Sequence, residues 1–259
     1  MTRLLSGVAL AAAALAAILF LPLLGLRVIA CGVAALAAHE YLGIVDRDRR
    51  APDAPDTIPL LLLVVIACWW FSDPGRAGAL PLLLLGVGWV AVEVVFLGRA
   101  VDHASVRFLA PWYIGMPLGM LASVQAGGGR TATLLLIATV IVSDSAQFYS
   151  GRLFGRRPLA PAISPKKTVE GAVGGLVVAT IFVTLAGPWV FPSAERWSLA
   201  LLGVAIVVLG ICGDLFESRL KRTAGVKDSS ALIPGHGGVL DRIDALLFAT
   251  PAYYLYLQA

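Results

Sequence analysis

Residues 200–244 read ALLGVAIVVLGICGDLFESRLKRTAGVKDSSALIPGHGGVLDRID, and this stretch holds the two features that decide the fold. Residues 200–213 are entirely apolar or glycine, which predicts a helix inside a membrane. Residues 213–244 hold five acids and five bases, as well as His236. Ionisable groups are costly inside a membrane protein and usually mark its function. Chemistry should therefore be sought first in this dense cluster.

The composition of the whole chain agrees with a membrane protein. Hydrophobic residues make up 59% of the 259 residues and charged residues 14%, whereas soluble domains carry about 25% charged residues. We predict an all-α integral membrane protein with nine transmembrane helices, since each needs roughly 20 apolar residues. The predicted spans lie near 4–24, 27–45, 58–72, 79–97, 106–124, 131–150, 169–190, 197–220 and 242–258.

The chain is predicted to form a single polytopic membrane domain over 1–259, because it shows neither an internal repeat nor a soluble segment. Within it, 1–130 supplies helices 1–5, and 131–259 supplies helices 6–9 with two charged loops. Sixteen of the 20 Lys and Arg fall on one side when the spans alternate. The positive-inside rule then places the N-terminus in the cytoplasm and the C-terminus outside. The net charge of +4 gives no indication of nucleic-acid binding.

Three polar sites in the N-terminal half have alternative interpretations. His39-Glu40-Tyr41 could hold a metal or act in acid–base chemistry, but an anchor at the membrane interface is favoured. Glu93 lies within a predicted span, where an acid indicates function by default, and a partnered structural role is favoured. His103 lies in a polar loop and is predicted to be solvated.

The first polar constellation runs from Ser143 to Gly171. At helical spacing Asp144, Gln147 and Gly151 share one face, and an unpaired carboxylate there should meet a cation, a metal or water. Lys166-Lys167-Thr168 leads directly into the seventh predicted span. Lysines and backbone amides at a helix N-terminus favour an anion such as phosphate.

The second constellation begins at the end of the apolar run. Asp214, Glu217, Ser218 and Lys221 share one helix face, and Pro234 to Gly238 form a glycine-rich turn that lets backbone approach a ligand. The acids and bases could simply neutralise each other. Alternatively the carboxylates hold Mg²⁺ and the cations hold a polyphosphate, the composition expected for phosphoryl or nucleotidyl transfer.

No Walker motif, G-x-S-x-G or H-E-x-x-H occurs, but the residues resemble another family. The chain is similar to the phosphatidate cytidylyltransferases, also called CDP-diacylglycerol synthases. The resemblance rests on two blocks that cover about half of the C-terminal 120 residues. The downstream block contains Ser218, Leu220-Lys221-Arg222, Lys227-Asp228, Ser230, Ile233-Pro234, His236-Gly237-Gly238-Val239 and Asp241-Arg242-Ile243-Asp244. The upstream block contains Asp144, Gly151-Arg152-Leu153-Phe154-Gly155 and Ser164 to Gly171.

The resemblance implies an activity and its setting. CTP would react with phosphatidic acid to give CDP-diacylglycerol and pyrophosphate for phospholipid biosynthesis, with Mg²⁺ as cofactor. The resemblance leaves open whether a monovalent cation such as K⁺ assists Mg²⁺. The enzyme would be a multi-pass protein of the inner or plasma membrane, a homodimer, with its site at the cytoplasmic side and a polar funnel open to the bilayer.

The resemblance also implies residue roles. Asp214 and Asp241 would be the principal metal ligands, with Asp244 and Glu217 in support and Asp144 as a second ligand or a lysine's partner. Lys221 and Lys227 would act in catalysis with Asp214, Asp241 and Asp144. The substrate-binding set would be Lys166, Lys167, Thr168, Ser218, Arg222, Asp228, His236, Gly237, Gly238 and Arg242.

One departure and two competing functions remain open. The family usually has Tyr-Phe where this chain has Phe148-Tyr149 after Gln147, so a tyrosine hydroxyl at 148 is missing unless Tyr149 substitutes. A CTP-dependent polyprenol or dolichol kinase, or a cytidylyltransferase for archaeal ether lipids, would share part of the upstream block. A transporter for an anionic solute would need a site near the bilayer midplane between repeated halves.

Overall fold

The structure is a computed structural model that describes residues 2–47, 57–74, 80–95, 97–98, 100–233, 235 and 237–259. Nine α-helices and one short hairpin make up this part of the chain. The helices are α1 (Thr2–Phe20), α2 (Leu23–Val45), α3 (Ile58–Phe71), α4 (Leu80–Val95), α5 (Val101–Ala110), α6 (Met116–Phe154), α7 (Val169–Ala186), α8 (Arg196–Thr223) and α9 (Leu240–Gln258). The hairpin strands are β1 (Pro158–Ala160) and β2 (Ser164–Thr168).

The predicted class, a helical membrane protein, is confirmed. Four helical stretches in the described residues are long and apolar enough to cross a membrane: Leu23–Val45, Val101–Phe154, Val169–Trp189 and Arg196–Thr223. Three shorter apolar helices lie at Ser6–Phe20, Ile58–Phe71 and Leu82–Val95. The last helix, α9, is in neither group. The count of nine spans and the orientation of the termini therefore stay predictions.

The long stretch Val101–Phe154 is interrupted twice. A π-helical turn over Pro111–Gly115 joins α5 to α6, where proline cannot donate a helical hydrogen bond. Within α6, Gly129 leaves the helical conformation with φ 74° and ψ −176°. This positive φ is accessible to glycine at little cost. The break falls between the predicted spans 106–124 and 131–150.

The hairpin lies between the sixth and seventh predicted spans, in one of the two predicted charged loops. β1 and β2 pair antiparallel, with Pro158 opposite Thr168 and Ala160 opposite Ser164. Ser164 precedes a proline, which favours extended backbone. At the end of β2, the Thr168 hydroxyl accepts a hydrogen bond from the Gly171 amide at 3.1 Å and caps α7. The hairpin thereby fixes Lys166 and Lys167 just ahead of that helix.

Two large apolar clusters hold the helices together, and a third, small one joins α1, α2 and α6. One joins α2, α3, the π-helical turn and α9, and includes the buried residues Tyr41 and Ile114. The other joins α6, α8 and α9 around Leu136. Where α8 meets α9, a Cβ added at Gly213 would lie 2.5 Å from the Asp244 carbonyl oxygen, so only glycine allows this approach. The contact brings the acids of α8 next to those of α9.

Candidate active site

A cleft of about 650 Å³ lies between the end of α6, β2, the start of α7, the end of α8 and the start of α9. It brings the two polar constellations of the sequence together, although they are far apart along the chain. The predicted site residues that line it are Asp144, Lys166, Lys167, Thr168, Asp214, Glu217, Lys221, Asp228, Asp241, Arg242 and Asp244. The cleft is therefore the candidate site.

An ion pair between Lys167 and Asp214 joins the two constellations directly. The lysine side chain is 23% exposed and the aspartate side chain 33%, so both can be reached from the cleft. Behind them, the Ser218 hydroxyl donates to Asp214 Oδ1 at 3.3 Å. Across the cleft, Gln147 Nε2 donates to Asp144 Oδ1 at 3.3 Å. The Lys167–Asp214 pair is accessible, so an incoming anion can compete with Asp214 for the lysine.

A second lysine is held between two carboxylates deeper in the cleft. Lys221 Nζ lies 2.9 Å from Glu217 Oε2 and 2.5 Å from Asp241 Oδ1. The Glu217 side chain is 1% exposed, and its Oε1 has no hydrogen-bond partner among the described residues. An unpaired polar atom in a buried position is costly. The Glu217 carboxylate therefore has capacity left for a further cation, water or hydrogen-bond donor.

Asp241 organises the loop that follows α8. Its Oδ2 accepts hydrogen bonds from the Ser229 amide at 2.9 Å, the Ser229 hydroxyl at 2.9 Å and the Gly238 amide at 2.8 Å. Burial alone raises the pKa of Asp241, but donors from Lys221, Gly238 and Ser229 lower that pKa to about 2. Asp241 is thus an ionised anchor whose two oxygens are both engaged.

Glu40 of α2 reaches the same loop, which the sequence did not indicate. It is 6% exposed and accepts four hydrogen bonds from residues 229–240. The interpretation of His39-Glu40-Tyr41 as an interfacial anchor is wrong for Glu40, because its carboxylate is buried against protein donors. Its partners lie 189 to 200 residues further along the chain. No local pattern could have paired residues at that separation.

A different group of charges lies away from the cleft, between α2, α4 and α5. Arg107 is fully buried and pairs with Asp46 and, at 2.9 Å, with Glu93. Trp89 Nε1 also donates to Glu93 Oε1 at 3.1 Å, so the partnered structural role predicted for Glu93 is confirmed. The prediction that His103 is solvated is wrong. Its Nε2 lies 3.0 Å from Asp46 Oδ1, and its side chain is only 10% exposed.

Some predicted site residues lie outside the set that lines the cleft. Within the described part of the chain, these are Ser218, Arg222, Lys227, Gly237 and Gly238. Arg222 instead donates to the Ile163 carbonyl at 3.4 Å and ties the end of α8 to the hairpin. His236 lies outside the described residues, so its predicted role in the nucleotide pocket stays a prediction.

The cleft also contains residues to which the sequence gave no role. They are Gln147, Phe148, Gly151, Arg152, Leu159, Ser164, Gly171 and Ala172. Arg152 was visible in the upstream block and could have been assigned, because its neighbours there include Asp144. Phe148 lines the cleft, whereas Tyr149 is not among the described lining residues. The substitution of Tyr149 for the missing tyrosine hydroxyl therefore stays a prediction.

The side chains that line the cleft have the chemistry needed to bind a magnesium ion. Carboxylates of Asp144, Asp214, Glu217 and Asp244 line one cleft, and the buried Oε1 of Glu217 lacks a partner in the described chain. Oxygen ligands of this kind suit Mg²⁺. No group of three or more His, Cys, Asp or Glu residues within the described ranges is already gathered closely enough to hold a metal. Magnesium-dependence thus remains a proposal.

Comparison with known proteins identifies the family. A family model described as "Cytidylyltransferase family" matches residues 1–259. The Escherichia coli (strain K12) protein named "Uncharacterized protein YnbB" is 41% identical over 170 residues, which cover 66% of this chain and 52% of that protein. A phosphatidate cytidylyltransferase of Haemophilus influenzae is 48% identical over 130 residues, covering 48% of this chain and 45% of the relative.

The matches differ in extent. The chain spans about half the length of those two relatives. It spans more of a phosphatidate cytidylyltransferase of Pseudomonas aeruginosa, which is 35% identical over 238 residues. That match covers 88% of this chain and 85% of the relative. The similarity therefore includes the N-terminal helices as well as the two polar blocks.

Proposed function

We propose that this chain, which belongs to the cytidylyltransferase family, transfers the cytidylyl group of CTP to phosphatidic acid, giving CDP-diacylglycerol and pyrophosphate. The names of the relatives support this activity. The observation that carries the proposal is the Lys167–Asp214 ion pair, which joins both polar constellations in one open cleft. Acids and bases that only neutralised each other would have no need of a cleft of this volume.

The basic side chains of the cleft suit a triphosphate. Lys166 and Lys167 approach from the hairpin, Arg152 from the end of α6, and Lys221 and Arg242 from the opposite wall. Charge-assisted hydrogen bonds to phosphate are about twice as strong as neutral ones. Lys167 and Lys221 bind carboxylates of the protein, so CTP would exchange one anionic partner for another. The lysines are thereby held in place before the nucleotide arrives.

The reaction needs little acid–base chemistry from the protein. An oxygen of the phosphatidate phosphate attacks the α-phosphorus of CTP, a new P–O bond forms, and the bond to the β-phosphate breaks with pyrophosphate as leaving group. The attacking oxygen is already anionic, so no strong general base is required. The cationic side chains orient the two phosphates and offset the negative charge that would keep them apart.

Magnesium is part of the proposal. Asp214, Glu217, Asp244 and Asp144 would hold the ion, which when bound supplies charge neutralisation for the triphosphate and the leaving pyrophosphate. Asp241, named with Asp214 as a principal ligand by the resemblance, would join through Oδ1, which binds Lys221 and has a second lone pair, whereas Oδ2 already accepts three loop contacts.

The lipid substrate would reach the cleft from the bilayer on the cytoplasmic side. Apolar side chains at the end of α6 are strongly exposed, with Phe148 at 61%, Leu153 at 72% and Phe154 at 67%. Phe148 also lines the cleft, so it stands between an apolar surface and the phosphate-binding groups. This placement suits a lipid whose acyl chains stay in the membrane while its headgroup enters the site. The homodimer implied by the resemblance is part of the same proposal.

The direct test measures pyrophosphate release from CTP by the purified protein in detergent. Phosphatidic acid and Mg²⁺ are each omitted in turn, and the lipid product is identified by mass. We expect release only when all three components are present, together with CDP-diacylglycerol. Formation of CDP and a phosphorylated polyprenol, without pyrophosphate, would instead identify a lipid kinase. A protein that yields neither product under these conditions contradicts the proposed function.

A further inference from the structure

We infer that Glu40, in the N-terminal half of the chain, is the positioning residue of the candidate active site. Its carboxylate fixes Ser229 and Ser230 after α8 and Val239 and Leu240 at the start of α9, and through Ser229 and Asp241 it fixes Lys221 in the cleft. This inference deepens the proposed function and rests on it for the identity of the substrate, CTP. The contacts of Glu40 are independent of the proposed function.

Four hydrogen bonds define the role of Glu40. Oε2 accepts from the Leu240 amide at 2.8 Å and the Ser229 hydroxyl at 3.0 Å. Oε1 accepts from the Ser230 hydroxyl at 2.7 Å and the Val239 amide at 3.0 Å. Both oxygens are thus saturated by one segment of the chain. A carboxylate that accepts several backbone and hydroxyl donors fixes their geometry strongly.

Gly238 packs tightly against the Glu40 carboxylate. A Cβ added at Gly238 would collide with the Glu40 carboxylate and with the Ser229 hydroxyl. With a larger residue at this position, the Glu40 carboxylate and the Ser229 hydroxyl would have to move from the places they occupy here. Such close contact explains why a residue on α2 can determine where the backbone of the loop runs.

A continuous chain of contacts leads from Glu40 to the cleft. The Ser229 hydroxyl lies between Glu40 Oε2 at 3.0 Å and Asp241 Oδ2 at 2.9 Å, and these two carboxylates share its single proton. Asp241 in turn holds Lys221 at 2.5 Å through its other oxygen. Displacing the loop would therefore displace the lysine proposed to bind phosphate. Misplacement of a positioning group by about 1 Å can cost about 100-fold in rate.

Glu40 also determines which hydrogen-bond donors remain free to bind the phosphates of the nucleotide. It takes the Val239 and Leu240 amides at the start of α9, while Asp241 takes the Gly238 amide. A helix N-terminus with free amides would attract a phosphate. Because the protein's own carboxylates already bind these amides, the triphosphate is directed to the lysine and arginine side chains on the other walls.

The test compares Glu40→Gln with Glu93→Gln. Both residues are buried carboxylates of the N-terminal half, but Glu93 pairs with Arg107 and lies outside the set that lines the cleft. We expect Glu40→Gln to lower kcat/KM for CTP by about 10–100-fold, mainly through KM, with less than about a 2-fold change in KM for phosphatidate. Glu93→Gln should lower the thermal stability and leave KM for CTP unchanged.

Hydrogen exchange of the intact protein tests the contacts without relying on activity. In Glu40→Gln the amides of Val239 and Leu240 should exchange at least about 10-fold faster, while those in the middle of α7 are unchanged. The conservative variant Glu40→Asp, which keeps the charge, should recover part of the protection. Ser230→Ala, alone and combined with Glu40→Gln, should give non-additive effects on kcat/KM because the two side chains touch.

The outcomes separate the two proposals. If the wild type is active and Glu40→Gln has the wild-type KM for CTP, the positioning role is wrong and the proposed function stands. If the wild type makes no CDP-diacylglycerol, the proposed function fails, and the exchange data alone decide the role of Glu40. Equal protection of residues 238–240 in both proteins, or a KM for CTP that rises as much in Glu93→Gln, would also overturn the inference.

Discussion

The protein contains two groups of charged residues that look alike in sequence and differ in access. The closed cluster, Asp46, Glu93, His103 and Arg107, is almost fully buried, with Arg107 at 0% and Glu93 at 1% side-chain exposure. The open cluster, Lys167, Asp214, Glu217, Lys221 and Asp241, lines a cleft, and Lys167 and Asp214 are 23% and 33% exposed.

The difference teaches how to read charge in a membrane protein. Both clusters place acids and bases among apolar helices, so the cost of burying charge marks both as important. In the closed cluster the charges are sealed against each other, which suits a structural role. In the open cluster the outer pair, Lys167 with Asp214, is reachable, so a ligand can replace one partner there, whereas the inner Lys221 is only 12% exposed. Access, more than the presence of charge, separates the proposed functional group from the structural one.

The largest loss of activity is expected when Asp214 is removed from the open cluster. Asp214→Ala removes a proposed metal ligand and the partner of Lys167, so pyrophosphate release should fall on the order of 10³-fold. The helix should remain folded, because Asp214 is partly exposed. Glu195→Gln, at the other end of α8, is the control and should keep wild-type activity. Full magnesium-dependent activity in Asp214→Ala would remove the open cluster from catalysis.

The second-largest effect is expected for the closed cluster, where a substitution should lower the stability of the protein. Arg107→Met leaves Asp46 and Glu93 without their buried cation, which should lower the free energy of unfolding by about 3–5 kcal/mol. Thermal unfolding in detergent measures it. The folded fraction should keep its KM for CTP within about 2-fold, since Arg107 lies away from the cleft. A raised KM with unchanged stability would show that the two clusters are not separate in function.

A smaller effect is expected for a single cation of the open cluster. Lys167→Gln removes a charge-assisted contact to phosphate, so KM for CTP should rise by about 10–100-fold. The matched control is Arg130→Gln, an exposed base outside the cleft-lining set, which should leave KM unchanged. Isothermal titration with CTP separates binding from rate. Equal CTP affinities in Lys167→Gln and Arg130→Gln would show that Lys167 does not bind the nucleotide.

The smallest effect is expected at the departure from the family pattern. Phe148→Tyr adds a hydroxyl at the rim of the cleft, at a side chain that is 61% exposed, and should change kcat/KM by no more than about 2-fold. Tyr149→Phe should have no effect, because Tyr149 points outside the described lining. A gain of 10-fold or more in Phe148→Tyr would show that the family hydroxyl has a part in the reaction.

Much of the fold follows from local sequence. Apolar runs predicted the helices, and the break near 125–130 appears at Gly129, where the chain needs a positive φ. Extended backbone at Ser164 and Pro165 could have indicated the hairpin, but a strand of three residues such as β1 gives no periodic signal. The number of spans depends on the surrounding bilayer as well as on the chain, so it could not be fixed from the helices alone.

The site was predictable where its residues share a helix face or a family motif. Lys167 and Asp214 came from separate motifs, and their pairing is a tertiary contact that neither motif contains. Glu40 and His103 were misjudged for the same reason: each is held by a partner on another helix. Glu93 was judged correctly because an acid inside an apolar span needs a partner, although its cation, Arg107 on α5, could not be identified from the local sequence.

The reach of Glu40 has a consequence for how the protein is made. Its partners follow 189 to 200 residues later in the chain. At a synthesis rate of about 5–20 residues per second, α2 enters the membrane about 10–40 s before Leu240 is made. Throughout that interval the Glu40 carboxylate has none of its four donors and must stay near water or lipid headgroups. The cleft is therefore completed only once α9 has been made, and a nascent chain that stops before α9 has every helix of the N-terminal half but lacks one wall of the cleft.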